Sequence, residues 1–286
     1  MSSIGIVIYS YKGKIIKDVI TNIMHHSSGK NKIKIYLAEQ HPLIKDEYFK
    51  DKEYVDYNHI FWDHPYGSCI KKFELIQKVS EEYVFVLGDN VLLNKNWDET
   101  LLRFIDSKNI IVSGMGKLRL SQDKLFYFTK EYSSSTEFIM SNFVDSNFIF
   151  AHKNIFNNTD YPTFLKYNGE DEYLSLFWYT SGIDIYSCPS DVGQILGKNS
   201  LETLYVPYSI NHNYNEVIEV IKGGFSKNIK IENKRSIQDF LLFHAIDLTK
   251  IHKLPFQTND VEYDCYQTKF DDLDGRKFLG RTNAIY

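Results

Sequence analysis

Cysteine, proline and glycine-rich phosphate signatures are all scarce in this chain of 286 residues, and each shortage closes a class of explanation. The three cysteines, Cys69, Cys188 and Cys265, are scattered without CxxC or Cys/His spacing. Neither a zinc site nor a disulfide framework is indicated, and reduced thiols are expected. No segment approaches the roughly 18 consecutive apolar residues of a membrane span. The first apolar run, Ile4 to Tyr9, is too short for a secretory h-region and has no basic lead. The expectation is a soluble protein of the cytoplasm, or of a host's cytoplasm if viral, with no membrane partner. Gly-x-Gly-x-x-Gly and the Walker loop are both absent, so the common dinucleotide and mononucleotide phosphate cradles are excluded. A net charge of −4 argues against a strongly basic nucleic-acid binder, although a local patch survives that count.

What is present is a globular composition, 43% hydrophobic and 24% charged, with 21 Tyr and 20 Phe. The length suits one large α/β domain with a small appendage. Ile4 to Tyr9 reads as a strand, and Ile16, Val19, Ile20 and Ile23 follow at i, i+3, i+4, i+7, the stripe of a helix covering a sheet. Lys32 to Ala38 alternates as a second strand. The opening is therefore β-α-β, with ligand-facing ends at Tyr9-Ser10-Tyr11 and Glu39-Gln40. Gly67-Ser68 starts a second helix, with Cys69, Phe73, Ile76 and Val79 on one face, and aims free N–H groups at whatever lies there. Ile110 to Ser113 and Phe148 to Ala151 are further strands. Gly169 and the acids Glu170, Asp171 and Glu172 precede a helix carrying Tyr173, Leu174, Phe177 and Trp178, closed by Gly182 and followed by a strand over Ile183 to Cys188. Ser236 and Asp239 resemble a capping box opening a long helix with Ile237, Phe240, Leu241, Ala245 and Leu248 on its apolar face. Residues 1–200 read as a core and 201–286 as a helical and irregular appendage, a possible acceptor-binding region.

Residues 83 to 98 say the most. The apolar run Tyr83 to Leu87 reads as a buried strand and stops abruptly at Gly88-Asp89-Asn90. Open α/β sheets place their ligands at such strand ends. An aspartate followed by another oxygen donor also suits Mg²⁺ or Mn²⁺ whose other ligands are water and phosphate. Taken alone, the same triplet is ordinary turn chemistry.

In order along the chain, Tyr9-Ser10-Tyr11, Glu39-Gln40, Gly67 to Lys72, Gly88-Asp89-Asn90 with Trp97-Asp98, Gly169-Glu170-Asp171 and Gly182 to Tyr186 resemble the glycosyltransferases of GT-A fold that attach α-N-acetylglucosamine to hydroxyproline or Ser/Thr of polypeptides. The resemblance covers most of residues 3 to 190. It implies a mixed central sheet flanked by helices, a nucleotide-sugar donor (UDP-sugar foremost) and transfer with retention. Donor contacts would come from Tyr9, Ser10, Tyr11, Glu39, Gln40, Gly67, Lys72 and Asp89, with Lys72 standing where the family has arginine. Glu170, Asp171 and Asp145 would be the acids beside the transferred sugar or the acceptor. Manganese or magnesium would be held by Asp89, with Asn90 and His212 as further ligands. The family's Asp-Ser-His becomes Gly88-Asp89-Asn90, so Asp89 is the one carboxylate left in the triplet. His64 has a similar but weaker claim than His212.

The acceptor is left open between a protein hydroxyl and a hydroxymethylated or glycosylated DNA base. The Lys-, Asn-, Ile- and Tyr-rich composition resembles that of AT-rich genomes, phages among them, and phages glycosylate their DNA. A DNA acceptor would need a basic face, for which Lys227, Lys230, Lys234, Arg235, Arg276, Lys277 and Arg281 are candidates. A nucleotide-sugar-binding module with a degenerate metal site is the non-catalytic alternative.

Overall fold

The computed structural model describes residues 1–11, 15–40, 47–60, 68–105, 109–122, 128–165, 169–196, 217 and 234–244. The first half contains strands β1 (Ser3–Tyr11), β2 (Lys32–Gln40), β3 (Val55–Ile60), β4 (Tyr83–Leu87), β5 (Val91–Leu93) and β6 (Ile110–Met115). It also contains helices α1 (Ile16–His26), α2 (Glu47–Lys50), α3 (Ser68–Lys78) and α4 (Trp97–Phe104). The second half adds β7 (Lys117–Gln122), β8 (Phe128–Ser133), β9 (Ile139–Met140), β10 (Phe148–His152), β11 (Asp184–Cys188) and β12 (Gly193–Ile195). Its helices are α5 (Lys153–Asn157), α6 (Glu170–Thr180) and α7 (Ile237–Phe243).

Eight strands pair in the order β3-β2-β1-β4-β10-β6-β11-β9. Strands β3, β2, β1 and β4 run parallel, β10 is inserted antiparallel between β4 and β6, and β9 closes the far edge antiparallel to β11. Two small ladders stand apart, β5 with β12 and β7 with β8.

Strand periodicity sorts the side chains into two layers. In β1, Ile4, Ile6 and Ile8 face the layer of α1 and α4, while Val7 and Tyr9 face that of α3 and α6. Strand β4 does the same, with Phe85 and Leu87 on one side and Val84 and Val86 on the other. Each fully buried aliphatic or aromatic side chain contributes about 1.5–3 kcal/mol, so a sheet packed on both faces is the dominant stabilising unit. Gly5 is required by that packing, because a Cβ there would run into the Val79 side chain.

The expected helix from Cys69 and the acid-led helix before Gly182 are both found, as α3 and α6. Strand β2 continues two residues beyond the expected Ala38, so Glu39 and Gln40 are its last residues rather than a loop after it. Helix α7 opens with the expected capping box: Ser236 Oγ accepts the Asp239 N–H, and the Asp239 carboxylate accepts the Ser236 N–H. Ala245 and Leu248 lie outside the described residues. Phe240 and Leu241 of α7 pack into the α3/α6 layer, so this part of the C-terminal region docks on the sheet domain. Among the described residues no helix is long and apolar enough to cross a membrane.

Candidate active site

Strand β1 is flanked by β2 on one side and β4 on the other, while α1 packs on one face of the sheet and α3 on the opposite face. The direction of winding therefore reverses at β1/β4, which opens a crevice at the carboxyl ends of these strands. Ser10 and Asp89 meet there: Ser10 Oγ donates to Asp89 Oδ2 at 2.9 Å. One strand over, Tyr9 Oη donates to Gln40 Oε1 at 2.9 Å, and Glu39 and Gln40 are fully buried. Asp89 is half-buried, so its carboxylate is held and still reachable.

The turn after β4 is fixed from two sides. Gly88 N donates to Asn147 O at 2.8 Å. Asn90 Nδ2 donates to Leu196 O at 2.8 Å, and Leu196 N donates back to Asn90 O at 2.8 Å. With its amide nitrogen committed to Leu196, Asn90 turns Oδ1 toward Gly88, where it lies 3.0 Å from the position a Cβ would occupy. Asp89 thus supplies a carboxylate and Asn90 a carbonyl oxygen to one turn, a donor set that fits a hard divalent cation retaining water and phosphate ligands. Among the described residues no group of three His, Cys, Asp or Glu gathers around such a position.

A buried charge pair sits beside this turn. Lys72, in the first turns of α3, places Nζ 2.8 Å from Glu170 Oε2, at the start of α6, and 3.2 Å from Ser146 O. Tyr161 Oη donates to the other carboxylate oxygen of Glu170. Glu170 is 4% exposed. Burial alone would push the Lys72 ammonium down, but the Glu170 charge outweighs it and holds Lys72 above its ordinary value. Burial, reinforced by the same carboxylate, pushes the Cys69 thiol and the Tyr161 phenol well up, so both stay protonated beside it.

The pair grips the turn that leads into β10. Ser146 N donates to Asp171 Oδ1 at 2.9 Å. Asp145 N donates to Ser113 Oγ at 2.8 Å, and Asp145 Oδ1 accepts from Asn147 N at 3.1 Å. Asp145, Glu170, Asp171 and Lys72, drawn from three distant parts of the sequence, therefore surround one three-residue turn that is itself bonded to Gly88. Tyr161, Ser146, Asn147 and Ser113 belong to this assembly, and Tyr161 and Ser113 carried no site signal of their own in the sequence. Gly67, His64 and His212 lie outside the described residues, as does the side chain of Tyr11.

Trp97 and Asp98 sit elsewhere, at the opposite edge of the sheet. Trp97 Nε1 donates to Ile23 O, and Asp98 accepts from Ser28 N, Ser28 Oγ and Asn31 Nδ2. This clasps α4 to the α1–β2 connection and has no part in the crevice.

No family profile matches the sequence, and no curated protein does. Solved structures do match in shape. A crystal structure of GalNAc-T7 with UDP, GalNAc and Mn²⁺ superposes with a TM-score of 0.61 at 13% identity, over 87% of this chain and 56% of that one. S. aureus TarS residues 1–349 in complex with UDP-GlcNAc gives 0.59 at 9% identity, over 87% and 72%. A further S. aureus TarS structure gives 0.57 at 12% identity, over 86% and 44%. The chain spans just over half the length of the GalNAc-T7 chain. Its fold is the GT-A fold, a mixed sheet flanked by helices.

Proposed function

We propose that this chain is a glycosyltransferase that moves a sugar from a nucleotide-sugar, foremost a UDP-sugar, to a hydroxyl of a macromolecular acceptor. The observation that carries the reading is the Ser10–Asp89 bridge at the winding reversal, in a fold whose solved neighbours hold UDP or UDP-GlcNAc. Tyr9, Tyr11, Glu39 and Gln40 would line the nucleoside end. Asp89 and Asn90, with His212 as a further ligand, would hold manganese or magnesium. That ion would supply charge neutralisation for the departing diphosphate.

The protein's own groups do the rest. Lys72 and Glu170 act as a net-neutral pair that fixes the 145–147 turn, so Glu170 serves as a positioning residue. Asp171, half-buried, would be the acid offered to the transferred sugar or the acceptor, while Asp145, 4% exposed and bonded to Asn147 N, would hold the turn beside it. Retention, implied by the resembled polypeptide N-acetylglucosaminyltransferases, belongs to the same proposal and is read from the anomeric proton of the product. Of the basic residues suited to a DNA acceptor, Arg235 is committed inward: its guanidinium donates to Asp184 at 2.6 Å and lies over the Tyr179 ring.

The test is UDP release from a panel of UDP-sugars with Mn²⁺, then with EDTA. Release that stops on chelation is expected. Failure to bind any UDP-sugar by calorimetry would sink the reading. A second reading, a binding module without turnover, is favoured by Asp89 being the sole carboxylate of the triplet. Tight donor binding with no UDP release under any metal would select it.

A further inference from the structure

The carboxyl edge of the sheet continues past the crevice into a polar groove. Strand β6 runs from Ser113, whose hydroxyl donates to Asp145 O and Phe148 O, to Met115, two residues or about 7 Å further on. Met115 lines a groove of about 320 Å³ together with Ser133, Ser134, Ser190, Gln194 and Ile195. A second recess of about 410 Å³ shares Ser134 and Ser190 and adds Thr136, Glu137 and Asp191. Gly116, with φ of +85°, makes the bend that brings Met115 under Ser133, and a Cβ there would strike the Ser133 carbonyl.

One wall of the groove is β12, which pairs with β5 directly after the Gly88–Asn90 turn and ends on the reciprocal Leu196–Asn90 bonds. The groove therefore abuts the candidate donor turn. Ser190 Oγ accepts the Ser135 N–H at 2.8 Å, and Ser135 Oγ donates to Glu137 O. Ser134, Thr136 and Gln194 are exposed, Ser134 and Gln194 in the groove and Thr136 in the recess beside it.

We propose that this groove together with the recess beside it is the acceptor site and that its occupant is an uncharged sugar unit, resting on the glycosyltransferase reading above. Hydroxyls, an amide and two carboxylates suit a polyhydroxyl ligand, because each can exchange hydrogen bonds with sugar hydroxyls and a carboxylate accepts from vicinal pairs. The volume falls within the range of small-ligand clefts. Nucleic acid is disfavoured: the described lining holds Glu137 and Asp191 and no cation, whereas phosphate binding rests on Lys and Arg. A peptide is disfavoured too, since peptide anchors are aromatic or Arg side chains seated in pockets, and the apolar floor here is only Met115 and Ile195.

The full chain with UDP-glucose, UDP-galactose, UDP-GlcNAc and UDP-GalNAc is offered neutral oligosaccharides, Ser/Thr peptides and hydroxymethylated duplex DNA, with products read by mass spectrometry. Saturation-transfer NMR reads oligosaccharide contact in the presence of UDP. Products on oligosaccharides alone are expected, lost about tenfold or more in Ile195→Trp, which fills the groove, and in Thr136→Trp, which fills the recess beside it. Calorimetry of UDP-sugar binding on the same variants separates the two readings. If the wild type binds no donor, the glycosyltransferase reading fails. If donor binds but products form on DNA or peptide alone, the groove assignment is overturned. It is equally overturned if oligosaccharides give neither product nor NMR contact, or if both filled variants transfer normally.

Discussion

Asp98 at one edge of the central sheet and Glu170 at the other are buried carboxylates satisfied in opposite ways. At the amino edge, Asp98 is held by neutral donors, Ser28 N at 2.8 Å, Ser28 Oγ at 2.6 Å and Asn31 Nδ2 at 2.8 Å. Glu81 likewise accepts from Tyr36 Oη at 2.8 Å and Ser80 N at 3.0 Å. At the carboxyl edge, Glu170 faces the Lys72 ammonium, with Asp89, Asp145 and Asp171 nearby in the sequence-distant turns described above. Neutral donors satisfy a carboxylate locally and leave a closed joint. A buried ion pair requires two charges to leave water, and is seldom the cheapest way to stabilise a fold. The contrast suits an amino edge that closes a joint and, under the proposed function, a carboxyl edge that keeps charge in place for a ligand.

The strongest way to break this comparison is to remove one charge. Lys72→Met should destabilise the protein by about 3–5 kcal/mol, because Glu170 is then buried with its charge uncompensated. Adding Glu170→Leu should restore most of that loss in urea denaturation. A single variant as stable as the wild type would show that the pair contributes little and that water reaches Glu170.

Next in size, Asp89→Ala should lower UDP release by about 10²–10³, the scale for removing one charge-stabilising element, with the unfolding midpoint unchanged. Asp98→Asn should do the reverse. It keeps turnover and loses about 2 kcal/mol, since Ser28 N and Ser28 Oγ lose a charged acceptor. If Asp98→Asn abolished UDP release, or Asp89→Ala unfolded the protein, the division between edges would be wrong.

The Asp98 effect also has a pH signature. Burial alone would raise its carboxyl, but the hydrogen bonds from Ser28 and Asn31 prevail and hold it below the ordinary range. The folded state therefore binds fewer protons than the unfolded chain. The Asp98 contribution is complete above the ordinary carboxylate value, near 4, and is lost as pH falls through the depressed folded value. Stabilities of wild type and Asp98→Asn should converge in acid.

A further pH-dependent effect is expected at His244, after α7. Burial pushes its pKa down to about 4, with Nε2 3.3 Å from Asn142 O. Stability from this group is complete above about pH 6.5 and falls progressively toward pH 4, as the unfolded chain takes up a proton that the docked histidine refuses. His244→Gln should flatten the stability profile between those values. An unchanged slope would show that α7 releases before the histidine titrates.

Much of this was legible in the sequence wherever the information is local. The 3.6-residue stripe Ile16-Val19-Ile20-Ile23 gave α1, the stop at Gly88 gave the end of β4, and Ser236/Asp239 gave the cap of α7. What escaped is what depends on pairing across the chain. Strand β3, Val-Asp-Tyr-Asn-His-Ile, is half-buried along most of its length and mixes polar with apolar residues, so no clean period marks it. The Lys72–Glu170 bond spans 98 residues, and Tyr161 joins it from a loop. Trp97-Asp98 was visible as a motif beside the triplet, but only the partners Ser28 and Asn31 reveal that it works at the far edge. The groove hydroxyls form no motif, because Ser133 to Thr136 meet Ser190 only through the Ser135–Ser190 bonds beside the β9/β11 pairing.

The reciprocal bonds between Leu196 and Asn90 have a consequence for how such a chain can change over time. They tie Leu196 to the Gly88–Asn90 turn from both sides. Recombination after residue 196 could therefore exchange the segment that follows while that turn, and the groove lined by residues between 115 and 195, stay unaltered. A junction placed there keeps both candidate sites in one inherited piece.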